Sequence, residues 1–231
     1  MRRAGGPRGR AADAHRVRSA AGGRGGSLNL AGLGFALAAA LGWGIGDFSG
    51  GFLSRRAGVL LVGLAMETIG IAVALALALL SGDPFPSPAA VAWSLAAGIV
   101  GIAGLLVFYR ALAGGAMSLV APVAAVVGAG LPVIAGYAFG ERMGGGQAAG
   151  ILVALVAVVL VSRPADGAGG DSRWAWLALV AGLCFAAYFV GVDRAVAAGA
   201  GTWWPVPIAR AGSIVVTGVG VLVTSQGRGL R

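Results

Sequence analysis

The chain has 231 residues, 58% of them apolar and only 11% charged, with a mean hydropathy of +0.89 and a formal net charge of +9. A soluble domain carries about 45–50% apolar and about 25% charged residues, so this excess has no place in one water-soluble core. A soluble enzyme, a nucleic-acid binder and a disulfide-framed secreted domain are excluded as the main reading, because residues 84–109, 111–140 and 143–162 contain no Asp, Glu, Lys or Arg, and uncharged apolar runs of ~20 residues are transmembrane helices.

In chain order, residues 1–27 come first and hold Arg2, Arg3, Arg8, Arg10, Arg16, Arg18 and Arg24 against Asp13, a net of +6. The basic excess is therefore an arm. Rich in Gly, Ala and Arg and lacking apolar periodicity, it is expected to be disordered. It reads as a solvated cytoplasmic tail that obeys the positive-inside rule, with contact to anionic lipid as an addition. It lacks the apolar core of a signal peptide. Translation from a codon upstream of the true start is the other reading.

Seven spans are expected after the arm. The first runs from about Leu28 to Leu53 and stops at Arg55-Arg56. The second, Val59 to Leu80, ends at the Ser81-Gly82-Asp83-Pro84 turn. The third covers Ala89 to Tyr109 and the fourth Met117 to Phe139. The fifth, Gln147 to Ser162, leads into a polar linker over 163–173. The sixth covers Trp174 to Ala197 and the seventh Trp203 to Thr224. With the N-terminus inside, Arg55, Arg56, Arg110, Arg163 and Arg173 fall outside, and the arm is left to set the orientation.

Compared with itself, the chain aligns residues 36–47 without gaps on residues 178–189. One residue further on, Ala65-Met66-Glu67 falls on Ile208-Ala209-Arg210. Transporters are commonly built from such repeats. With a five-helix unit, an odd number, the second copy enters the membrane from the opposite side. The chain divides accordingly into the arm (1–27), repeat 1 (28–162), the linker (163–173) and a partial repeat 2 (174–231) that holds two helices.

Several residues are candidates for chemistry within the membrane. Asp47 stands four residues after Trp43, and this spacing lets an aromatic ring and a carboxylate meet on one helix face. It either lines a cavity or pairs with Arg55 or Arg56. Glu67 sits near the middle of span two with no charge within ten residues on either side, so it must be protonated, paired or wet. Arg210 lies at comparable depth in span seven and cannot shed its proton. An ion pair between them fits both a strut between helices and a substrate or proton site. Span four carries Pro122 and Pro132, which free backbone carbonyls tolerated where neighbours or a wet cavity satisfy them. Tyr109 and Arg110 precede it; both residue types commonly anchor at the interface, and Tyr109 is also a cavity candidate. Tyr188, in the aligned segment of span six, is a further cavity candidate. Asp193-Arg194 is expected at the end of span six.

Other chemistry is restricted by absence. Cys184 is the only cysteine and His15 the only histidine, so one chain cannot build a disulfide, a haem site or a Cys/His metal site. All seventeen cationic side chains are arginine. With no lysine there is no Schiff-base chemistry, and no cofactor is expected. The Arg, Ala, Gly and Val excess points to a high-GC bacterial gene. Gly44-Ile45-Gly46-Asp47 has the Gly-x-Gly-Asp form of intramembrane aspartyl proteases, which need a second membrane aspartate to share a proton. The candidate, Asp193, lacks the preceding tyrosine.

Trp43-Gly44 with Gly46-Asp47-Phe48, then Tyr109-Arg110-Ala111-Leu112, Ser118-Leu119-Val120-Ala121-Pro122, Pro132, Gly140-Glu141-Arg142, Gln147 and Gly150 resemble the EamA-like repeat of the drug/metabolite transporter superfamily. The resemblance covers about Ala31 to Ser162. It implies two inverted five-helix repeats around a central cavity through which small metabolites or drugs are exported. It also implies a structural role for Glu141-Arg142 in the loop between helices four and five. The bilayer and a small-molecule substrate are the implied partners, and the bacterial inner membrane the location. The counterparts of helices three to five are missing from repeat 2. Two alternatives follow: a truncated fragment that only packs against other membrane proteins, or a homodimer in which a second copy completes the cavity.

Overall fold

The computed structural model describes residues 30–114, 117–140, 142–161 and 172–229. The arm, Glu141 and most of the linker lie outside the described residues, and their assigned roles stand as sequence expectations. Among the described residues every regular element is an α-helix: α1 (Leu30–Ala57), α2 (Val59–Ser81), α3 (Pro88–Ala113), α4 (Met117–Ala138), α5 (Gly145–Val161), α6 (Ser172–Ala197) and α7 (Pro205–Gly229). Six are long and apolar enough to cross a membrane. The remaining one, α5, has 17 residues, or about 26 Å of helix against a hydrocarbon core of about 30 Å. The chain forms two compact units, Met1–Ile45 and Gly46–Arg231, and the boundary falls within α1.

The helix ends follow from local chemistry. The Ser87 side chain accepts a hydrogen bond from Ala90 N with Pro88 in the first turn, and this starts α3. Gly82 closes α2 at φ 75°, a left-handed conformation that suits glycine. Several boundaries differ from expectation, among them those of α1, α3 and α6. Helix α1 runs through Arg55 and Arg56 to Ala57 and α3 passes Tyr109 to Ala113, because arginines at the end of a membrane helix reach water while their backbone stays helical. Helix α6 starts at Ser172, so the linker ends two residues earlier than its composition suggests.

In the second unit, small residues set the packing. Val62 of α2, Phe108, Tyr109 and Leu112 of α3, Val120 and Ala124 of α4, and Ala178 and Ala181 of α6 form the main buried cluster. Phe108 meets Phe185 edge-on at 5.6 Å. At Gly98 of α3 an added Cβ would lie inside the Ala209 carbonyl of α7. The backbones are that close, and Ser213 Oγ donates to Gly98 O at 2.9 Å across the same contact. Helices α2 and α7 are antiparallel: Leu60 meets Gly220, Gly63 meets Thr217 and Gly70 meets Arg210. Ile69 and Leu80 of α2, Leu152 of α5 and Val215 of α7 face outward, as lipid contact requires.

Candidate functional site

The α2–α7 seam carries the site. Glu67 stands eight residues into α2, about 12 Å along its axis. Its side chain is 10% exposed, and Arg210 Nη1 donates to its Oε2 at 3.1 Å. The residues that share an alignment column in the two halves are therefore joined in space. The guanidinium lies over Gly70, one turn beyond Glu67, where an added Cβ would collide with it. Gly70 is thus what lets Arg210 lie along α2 and reach the carboxylate. The Arg210 side chain keeps 34% exposure.

Two tyrosines stand around this pair. Tyr109 is 2% exposed. Its ring packs where Gly50 of α1 has no side chain, and its hydroxyl reaches Met66 Sδ at 3.9 Å. The expectation that Tyr109 anchors at the interface is corrected. Because α3 continues four residues past it, Tyr109 lies inside the bundle, whereas Arg110 is exposed. Tyr188 packs against Gly101 of α3. Of the cavity candidates, Glu67 and Arg210 are thus in direct contact, and Tyr109 reaches the residue beside Glu67.

Asp47 is half-buried, and the arginines offered as its partners are engaged elsewhere. Arg55 Nη2 donates to Leu112 O at 3.4 Å, and Arg56 sits 5.3 Å from the Phe52 ring centroid. Trp43 lies on α1 in the N-terminal unit. Pro122 stands in α4 between Ala121 and Val123, which pack on the main buried cluster. Helix α4 continues through both of its prolines. Arg142 lies in the α4–α5 loop and lines a shallow cleft with Met143 and Gln147. Asp193 pairs with Arg194 at 2.7 Å, and that guanidinium sits 4.5 Å from the Phe139 ring centroid. Asp193 is thus engaged by Arg194, and nothing among the described residues joins it to Asp47 as a proton-sharing dyad would require. Among the described residues no cluster of His, Cys, Asp and Glu could hold a metal ion.

Sequence reasoning missed the contacts that close one end of the bundle. Asp83 Oδ2 accepts from Thr202 N at 3.2 Å, and Trp204 Nε1 donates to Asp83 O at 3.0 Å. Ser87 Oγ donates to Ala198 O at 2.9 Å, and Phe85 meets Trp204 edge-on at 5.1 Å. Each contact joins the α2–α3 turn to the α6–α7 turn. The aromatic and aspartate at these turns were visible in the sequence, but nothing there marked them as partners.

No curated protein and no solved structure matches the chain. The EamA-like transporter family matches residues 30–163, more than half of its length. With six helices long and apolar enough to span, this multi-pass membrane protein belongs to the EamA-like transporter family of the drug/metabolite transporter superfamily.

Proposed function

We propose that the chain exports small amphipathic or zwitterionic metabolites across the bacterial inner membrane, with the Glu67–Arg210 pair in the translocation path. The observation that carries this reading is the pair itself, a carboxylate and a guanidinium 3.1 Å apart between the corresponding helices of two repeats. Isolated charges at such depth cost about 2.5–3.5 kcal/mol each on insertion scales, and those retained usually face a bundle interior or a cavity. A zwitterion carries both charges and can exchange with the pair, its carboxylate toward Arg210 and its ammonium toward Glu67. Tyr109 and Tyr188 supply an amphipathic wall. The antiparallel run of α2 against α7 supports inverted repeats, in which the site lies at the repeat interface. The N-terminus is placed in the cytoplasm, where the arm's seven arginines satisfy the positive-inside rule.

Counterflow of radiolabelled neutral amino acids into proteoliposomes tests this reading. Accumulation above that of empty liposomes is expected, reduced roughly tenfold or more in Arg210→Met, in line with the energy of a charge-assisted contact. Equal accumulation in wild type, variant and empty liposomes would contradict it.

A further inference from the structure

At the end of the bundle opposite the Asp83 contacts, α1 and α3 finish while α2 and α6 begin. An open cleft of about 510 Å³ lies there, lined by Ser54, Arg55, Gly58, Arg110, Arg173 and Trp174. Three guanidinium-bearing residues share its walls, with no carboxylate among the lining residues. Among the described residues neither Arg55 nor Arg110 has a carboxylate partner. Arg55 gives one N–H to Leu112 O and keeps the rest of its five-donor fork. Helix α2 opens onto the same cleft from Gly58, at φ 80°, with no side chain capping its first turn. The N–H groups of that turn and the positive end of the helix dipole thus go without a side-chain acceptor. Ser54 is 6% exposed, and among the described residues its Oγ has no hydrogen-bond partner. Rotation about one bond turns this hydroxyl toward the cleft.

The charged side chains on these walls are all guanidinium groups, and among the described residues neither Arg55 nor Arg110 meets a carboxylate that could neutralise it. A phosphate diester fits, since arginine forks bind phosphate oxygens in pairs and a helix N-terminus takes another. The cleft sits where the spans end, at headgroup depth, with Trp174 of the kind that anchors at that level. The exposed apolar side chains Phe52 and Leu61 lie within a turn of the lining residues, suited to an acyl chain. We propose that this cleft binds the phosphate of an anionic phospholipid headgroup between α1, α2, α3 and α6. The proposal is independent of what the Glu67–Arg210 locality carries. Basic pockets between membrane helices have the chemistry for such headgroups.

The full chain in phosphatidylcholine nanodiscs with a minor fraction of phosphatidylglycerol provides the test, with retained lipid counted by native mass spectrometry after release into detergent. Wild type and Arg142→Gln, which removes a charge at the other end, are expected to retain phosphatidylglycerol. Arg55→Gln/Arg110→Gln should hold it roughly tenfold or more weakly, given the contribution of each arginine near anionic lipid. Should the double variant fail to fold, Arg110→Gln alone serves, because Arg110 is exposed and contributes little to packing. Equal retention in wild type and the folded arginine variants overturns the proposal. In a parallel arm, inorganic phosphate is added to delipidated protein. Stabilisation by phosphate without selective lipid retention would assign the same chemistry to a soluble ligand and overturn the lipid assignment.

Discussion

The two ends of the bundle are held by different means. At one, the α2–α3 turn is strapped to the α6–α7 turn by Asp83, Ser87, Thr202 and Trp204. At the other, Arg55, Arg110 and Arg173 line an open cleft, and like charges there oppose closure. The Glu67–Arg210 pair lies between these ends. A transporter that alternates access needs this asymmetry in any one state, closed on one side and open on the other. The strap consists of hydrogen bonds worth about 0.5–1.5 kcal/mol each, so breaking it is within reach of thermal motion.

Variants can break or sharpen this comparison. The largest effect is expected where the α3 and α7 backbones come closest, between the two ends. Gly98→Ala should force α3 from α7 and lower stability by about 1–3 kcal/mol or more, while Gly218→Ala, with nothing within 4 Å of the added carbon, should change little. Thermal unfolding in detergent compares the two.

Next comes the ion pair. Glu67→Gln leaves a guanidinium that cannot lose its proton, whereas Arg210→Met leaves a carboxylate that can gain one. Glu67→Gln should therefore be the more destabilising, by about 1–3 kcal/mol against the 3–5 typical of a fully buried pair, because the Arg210 side chain keeps 34% exposure. The reverse order would show that the pair is not desolvated.

A smaller change is expected at the strap. Asp83→Ala removes the acceptor of Thr202 N, and amide exchange in the 198–204 turn should quicken roughly fivefold for a loss of about 1 kcal/mol, with the Arg-lined end unaffected. Smallest is Tyr109→Phe, which keeps the ring against Gly50 and loses only the hydroxyl's reach to Met66. Stability should shift by under about 0.5 kcal/mol, so any larger fall in flux would mark a role for the hydroxyl in the path.

Much of this architecture was legible because membrane spans announce themselves as uncharged runs. Glu67 and Arg210 stood out for the same reason, and the one-residue offset between the halves was enough to match them. Tyr109 was misread because Tyr-Arg at the end of an apolar run looks interfacial. Only its burial, with the ring against Gly50 and the hydroxyl at Met66, shows that it faces inward. The strap and the basic cleft were not legible, since each collects residues from turns and helix ends far apart in sequence, and no periodicity connects Asp83 with Thr202 or Arg55 with Arg173. Gly70 had looked like one glycine among 43, and only the side chain lying over it gives it a purpose.

Exchange flux in proteoliposomes with Glu67→Arg, Arg210→Glu and the combined charge swap tests the place of the pair in the path most directly. Each single variant puts two like charges 3–4 Å apart by the wild-type spacing of 3.1 Å and should abolish flux, while the swap should restore a measurable part of it. Wild-type flux that survives either single variant, or a wild type that moves nothing, would contradict the assignment.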